Sequence, residues 1–508
     1  MVRAFLFSLL CQVTTGSLNS TIVATVGRFA ITGRDLLDSY EFGPAFVRLK
    51  PQPLRAHLEY MIYERLIALE AEHLKEDTSL FVGERLSALQ EDLAVDELYK
   101  DEVLSKVSAT PDEIELGTQK ARTNIRLRWI FADNRDEANR IAAELQRGVP
   151  FDSLFAGRFD VSDDPRGRML EITLLQLERN NPELADHIVR LRSQEVSAPI
   201  NAADGYYIVR MDEIWQNPIL KETDHGTSRT EVTKVIETIY ADRLAQDYIR
   251  SMMAAVYPLI KAEGFNTLRA HLAEKGLSRD TRLKWNIPST FMTEAGPFPL
   301  WASGEFLNRT LVTFGDQTFT VRDYLRWFEI RQFQLDTRSI EAFNSSVKRT
   351  IWKMVQDKLL SQQAYARGLH LRNTVQDETR KWEAKLLYLA GRSRLLRAIT
   401  IGDADLQKRY AEQKHRYVDG AGKQLSFGEA RQHVWADLYS EEETKVLHQA
   451  IQRLRNDFPV TVREDLVLQL ASRIEKESAP INVFFYKPGG TFPRVAFPTI
   501  DEAWQRFD

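Results

Sequence analysis

Residues 191–214 read LRSQEVSAPINAADGYYIVRMDEI. The Asp204-Gly205 pair has turn chemistry, and the residues after it alternate as a strand does when one face packs on a core. Working back along the chain, IRLRWIFA from Ile125 has the same alternation, with Ile125, Leu127, Trp129 and Phe131 on one face. Between the two runs lie RDEANRIAAELQRG, an amphipathic helix ended by Gly148, then PFDSLFAGRF, a helix opened by Pro150. SDDPRGR reads as loop and LERNNPELADHIVRLRSQEV as helix. Strand, two helices, loop, helix and strand predict a small α+β sandwich.

Further out, the chain repeats. VATVGRFAITGRDLLDSYE from Val23 recurs as LVTFGDQTFTVRDYLRWFE from Leu311, matching at Thr25/Thr313, Gly27/Gly315, Thr32/Thr320, Arg34/Arg322, Asp35/Asp323, Leu37/Leu325 and Glu41/Glu329. Each copy predicts two short strands and a helix capped by Thr32 or Thr320, with Asp35 or Asp323 three residues on. A second helix follows in each. One carries Leu54, Leu58, Met61, Ile62, Leu66 and Leu69 at helical spacing, the other Trp352, Val355, Leu359 and Leu360. The segments ending at Ala273 and Ala471 also share a pattern, a long helix and then a short closing strand and helix. In the second copy the halves are joined by HRYVDGAGKQLSFGE, whereas about a hundred residues intervene in the first. The economical reading is one helical module present twice, with a separate domain inserted in the first copy and GPFPLWASGEF as the joint between copies.

The remaining composition is ordinary. Of 508 residues, 43% are hydrophobic and 28% charged, which suits roughly three domains. A formal net charge of -4 gives no field that would draw the chain to nucleic acid or an anionic membrane. Met1, Val2 and Arg3 precede the apolar AFLFSLLCQV, and Thr14 and Gly16 are small enough for a cleavage site, so a signal peptide over 1–16 and export are expected. Cleavage there would remove Cys11, the single cysteine, leaving no disulfide or thiolate metal site. No later segment is apolar enough to predict a stable membrane span.

The inserted region, about Asn124 to Ile214, resembles the parvulin family of peptidyl-prolyl isomerases through GVPFDSLFA, SDDP and the run from Leu191. The split module around it resembles the helical domain of exported SurA- and PrsA-like chaperones. That resemblance implies an α+β chain, mainly helical. Its parts are a first half-module at 17–118, a parvulin-like domain at 119–216, a closing half at 217–295, a linker at 296–307, a second module at 308–471 and a C-terminal tail at 472–508. Where parvulins carry a histidine in the first strand this chain has Trp129, and where they carry one in the last strand it has Tyr207. Asp164, or its neighbour Asp163, matches the loop acid, and the family's glycine stretch is reduced to RGRMLEI, which contains Met169. Asn180 and Leu184 fall where apolar wall residues are usual.

Both members of the family's histidine pair are thus absent, and the resemblance leaves Asp164, at the loop acid, and Tyr207 as the candidate catalytic residues, with Trp129, Met169, Leu184 and Tyr207 as substrate-binding residues. Trp129 and Tyr207 are expected to fill the old pocket, as core or as a peptide-docking surface. The function implied is an ATP-independent periplasmic chaperone (holdase or foldase) for unfolded outer-membrane or secreted polypeptides, its parvulin-like domain weak or inactive as an isomerase, needing no cofactor, with self-association compatible. The alternatives are an active prolyl isomerase and a structural subunit of a cell-envelope complex. Other chemistry is poorly supported. The nine histidines form no metal motif, DGAGKQ lacks phosphate-loop spacing, and Arg122, Arg126 and Arg128 read as a solvated strand edge. The Asn-x-Ser/Thr sites at Asn308 and Asn344 matter only in a glycosylating pathway. VFFYKPGGTFPRVAFP is expected to dock as an extended strand or to hang free.

Overall fold

The computed structural model describes residues 20–76, 80–157, 165–202, 205–216, 229–287, 304–331, 333–476 and 499–507. The expected signal peptide, Asp163 and Asp164, linker residues 296–303 and the whole of VFFYKPGGTFPRVAFP lie outside them. The architecture is α+β, with many helices and three small sheets. In chain order the first elements are β1 (Ile22–Val26), β2 (Phe29–Thr32), α1 (Gly33–Glu41), α2 (Pro53–His73), α3 (Leu80–Glu102) and α4 (Pro111–Arg122). Then come β3 (Thr123–Ala132), α5 (Arg135–Gln146), α6 (Phe151–Ala156), β4 (Met169–Thr173), α7 (Leu174–Asn180), α8 (Pro182–Ile188), β5 (Ile200–Ala202) and β6 (Gly205–Gln216). They are followed by α9 (Arg229–Val256), β7 (Leu259–Ile260), α10 (Ala262–Gly276), α11 (Arg279–Lys284), β8 (Thr310–Phe314), β9 (Gln317–Thr320), α12 (Val321–Arg331) and α13 (Ile340–Ala366). The last are α14 (Asn373–Leu396), α15 (Asp403–Glu412), α16 (Phe427–Asp457), β10 (Val460–Val462) and α17 (Glu464–Lys476).

The described residues form two compact units, one from those between 99 and 255 and the other from those up to 98 together with those from 256 onward. In the second unit the two hairpin-and-cap segments match at the level of single bonds. Gly27 and Gly315 turn their hairpins at the same φ of +52°. The Asp35 amide donates to Thr32 Oγ1 at 3.1 Å and the Asp323 amide to Thr320 Oγ1 at 3.3 Å, while each carboxylate accepts from its threonine in return. The apolar stripe of α2 is buried as expected, from Leu54 to Leu69. On α13 the buried stripe runs through Ile351, Met354, Val355, Leu359 and Leu360, and Trp352 faces outward at 39% exposure.

Strand pairing departs from the sequential division into modules. β10, from the end of the second copy, lies antiparallel beside β1 of the first, giving the sheet β10-β1-β2. β7, from the end of the first copy, lies beside β8 of the second, giving β7-β8-β9. Each opening hairpin is thus closed by the other copy's closing strand, and among the described residues no strand of 217–295 pairs with one of 17–118. A close approach shows the same exchange, because a Cβ on Gly264 of α10 would stand 2.1 Å from the Thr310 carbonyl oxygen of β8. One core runs through Val23, Leu36, Ile62, Leu66, Leu387, Leu447, Ile451, Leu470 and Trp504.

In the other unit the order is β3, α5, α6, β4, α7, α8, β5, β6, so the expected strand, two helices, loop, helix and strand gain two short strands, β4 and β5, and the single expected helix divides into α7 and α8. Its antiparallel sheet has the order β4-β3-β6-β5. α4 and α9 flank it in sequence and pack on each other through Ala121, Val232, Ile236 and Ile239, joined by Leu175 of α7.

Candidate functional site

β3 is the central strand of its sheet, and β6 covers it along its whole length, with Trp129 opposite Val209 and Phe131 opposite Tyr207. Cross-strand partners in an antiparallel pair point to the same side, so the register sorts every side chain onto one of two faces. On the first face Ile125, Leu127, Val209, Met211, Ile188 and Ile200 are buried, with Trp129, Leu184, Leu191 and Tyr207 half-buried around them. The Phe131 and Tyr207 rings meet edge-on with centroids 5.2 Å apart. Gly205, at φ +149°, leaves room for this: a Cβ there would lie 2.5 Å from Phe131 Cζ.

Three of the residues singled out in the sequence, Trp129, Leu184 and Tyr207, therefore share one apolar cluster. Met169 does not join them. Its register partner is Arg128, which places it on the opposite side of the sheet at the exposed start of β4. Asn180 is exposed at the end of α7. Asp164 lies outside the described residues, so its relation to Tyr207 has no geometry.

The second face was not foreseen. Arg122 is in the last turn of α4. Arg126 and Arg128 are on a central strand, so the expected solvated edge is corrected. Arg128 Nε donates to Asp212 Oδ2 at 2.6 Å, and Arg210 Nε donates to Asp212 Oδ1 at 2.5 Å. Asp152 of α6 lies 2.7 Å from Arg128 and 3.0 Å from Arg210. Two cations and two anions balance, and Asp212 is 7% exposed. Burial alone would lower the Arg128 guanidinium, but its bonds to Asp212 and Asp152 outweigh that and hold it above its ordinary value. Both guanidinium groups also lie against the Phe151 ring, at 5.9 and 5.0 Å from its centre. The sequence signal for this cluster was RMD, which puts Arg210 and Asp212 two apart and hence on one face.

The chemistry of the first face follows from its residue types. An indole N–H donates only and a phenol offers one hydroxyl, so Trp129 and Tyr207 lack the paired donor and acceptor nitrogens of an imidazole. What the face presents is aromatic, half-buried surface beside the closing hairpin. Among the described residues no cluster of three His, Cys, Asp or Glu side chains could hold a metal ion, and no helix is long and apolar enough to cross a membrane.

No protein-family model matches the chain, and no curated protein matches it. Solved structures similar to it include the peptidylprolyl isomerase PrsA from Bacillus anthracis, at 16% identity over 38% of this chain and 96% of that one, with a TM-score of 0.22. The foldase protein PrsA from Streptococcus pneumoniae is 14% identical over 44% of this chain and 87% of that one, with a TM-score of 0.23. A structure from the work describing PEB4 and Cj1289 of Campylobacter jejuni as SurA-like chaperones is 15% identical over 46% and 98%, with a TM-score of 0.21. Superpositions at this level establish no common fold.

Proposed function

We propose that the chain is an exported, ATP-independent chaperone that holds unfolded or extended polypeptides, and that its inserted domain binds peptide without catalysing prolyl isomerisation. The observation that carries this reading is the aromatic face of Trp129, Phe131 and Tyr207, which stands where the resemblance would put an imidazole pair. The isomerisation barrier is about 18–20 kcal/mol, and lowering it requires polar groups aimed at the twisting amide. A face of this composition instead suits docking of apolar side chains from an extended segment. Export rests on the apolar stretch that follows Arg3, and a periplasmic location is part of the same proposal.

The test uses the purified full chain. Suppression of aggregation of an unfolded client, weakened at least several-fold by the double substitution Trp129→Ala and Tyr207→Ala, is the expected result. A protease-coupled assay with a prolyl peptide should show no acceleration. Acceleration abolished by Asp164→Ala would replace this reading with that of a working isomerase. Co-purification with one fixed envelope protein, and no effect on clients, would replace it with a structural role.

A further inference from the structure

The last residues of the chain are seated in the helical unit like a ligand. Residues 500–507, IDEAWQRF, form a single 3-10 turn (Glu502–Arg506) capped by Asp501, whose Oδ1 accepts from the Ala503 amide at 2.8 Å. Ile500, Trp504 and Phe507 are spaced as the anchors of a helical peptide lying in a groove. Trp504 is fully buried. Its ring lies 5.4 Å from Tyr63 of α2 and 6.1 Å from Tyr388 of α14, and Phe507 meets Tyr63 at 5.7 Å and His448 of α16 at 5.4 Å with its ring tilted to both. Glu64 reads the segment's polar groups, accepting from the Asp501 amide at 2.9 Å and from Trp504 Nε1 at 3.3 Å. The Asp501 carboxylate accepts from the Tyr388 hydroxyl at 2.7 Å and lies 3.0 Å from Arg392.

Two features distinguish this seat from ordinary core. First, the groove keeps its own charge balance without the segment. Glu64 retains Lys385 at 2.9 and 3.0 Å, and Glu443 retains Arg392 at 2.5 Å, so departure of Asp501 and Arg506 strands no buried charge on the body. Second, among the described residues the segment's backbone-to-backbone hydrogen bonds are internal, from Trp504 to Asp501 and from Phe507 to Trp504. It holds on through its side chains and the single Asp501 amide bond to Glu64. Arg506 and Phe507 of the segment, with Glu441, His448 and Gln452 of α16, line a recess of about 480 Å³ on the outer side of the seat.

We propose that the groove between α2, α14 and α16 is a recognition site for short aromatic peptide segments of the form Asp-x-x-Trp-x-x-Phe, occupied in cis by residues 500–507 and open to a client segment in trans when these leave. The identity of the occupant as a client rests on the chaperone reading, whereas the existence of the site does not. A tethered segment competes at an effective concentration of order millimolar, so the cis occupant masks the site from dilute peptides.

The probe is a fluorescent peptide, TIDEAWQRFD, titrated into the full chain and into its Trp504→Ala variant. Binding to the variant should be tighter by ~10-fold or more, as expected when a tethered competitor is removed, and a probe with Ala in place of its Trp should not bind. A folded variant that binds the probe no better than the parent chain overturns the proposal. Hydrogen exchange on the unsubstituted chain covers the case in which the variant fails to fold. Exchange of 502–507 by an opening that leaves β1 and β10 protected supports the site, and exchange of 502–507 only on global unfolding refutes it. Dimers that swap this segment would assign the groove to a second copy and overturn the client assignment. Failure to suppress aggregation, with probe binding intact, would fault the chaperone reading and leave the groove standing.

Discussion

His57 and His271 are the buried histidines on which acid acts. His57 is fully buried, its Nε2 2.8 Å from Ser39 Oγ and its ring edge-on to Tyr40, and burial pushes its pKa down to about 4. His271 is held at about 4 by burial and by Lys275. The unfolded chain binds these protons near 6.5 and the folded one only near 4, so stability is complete above 6.5 and falls as pH drops toward 4. Each contributes at most about 3 kcal/mol to that loss. Thermal unfolding from pH 7 to 4 should show the midpoint falling, and His57→Gln should flatten the slope; a midpoint indifferent to pH would sink the idea. In the sheet domain, Asp212→Asn leaves Arg128 and Arg210 short of a buried anion and should cost about 3 kcal/mol, read as faster hydrogen exchange in β3 and β6. The common face of Ile125, Leu127, Trp129 and Phe131 was legible because strand alternation is local. The far side for Met169 and the anion partner of Arg128 were not, because both follow from a cross-strand register that no local pattern encodes.

At the scale of the element, the most legible features were those whose partners lie within four residues. Thr32→Ala removes the cap of α1 and Thr320→Ala that of α12, and each should cost about 1 kcal/mol in denaturant unfolding, with the serine variants close to the parent. The repeat was legible for the same reason, since hairpin turn and cap recur with matching residues. Helix faces were read less well where tertiary packing chose among apolar residues, as when α13 buries Ile351 and Met354 and turns Trp352 outward. Gly264 carried no signal in sequence, yet it marks where α10 meets β8. Gly264→Ala forces that backbone apart and should cost about 1–3 kcal/mol, with protection lost first in β8 and β9; an unchanged exchange pattern would refute the contact.

Across the whole molecule, the exchanged closing strands tie distant parts of the chain. The assignment of each closing half to its own copy came from sequence order, and the matching patterns of the two halves could not say which hairpin each would join. Ending the chain at Asp457 removes β10, α17 and the terminal turn. It should strip protection from β1 and β2, over 400 positions away, while leaving the β4-β3-β6-β5 sheet protected; the reverse pattern would contradict the topology. The same exchange sets a schedule. β7 is made before β8 and is waiting when its hairpin appears, but β1 and β2 are finished roughly 430 residues before β10. At about 5–20 residues per second of synthesis, the first hairpin spends about 20–90 s with one side uncovered. A protein proposed to shelter unfinished chains is itself, for that interval, an unfinished chain in need of shelter.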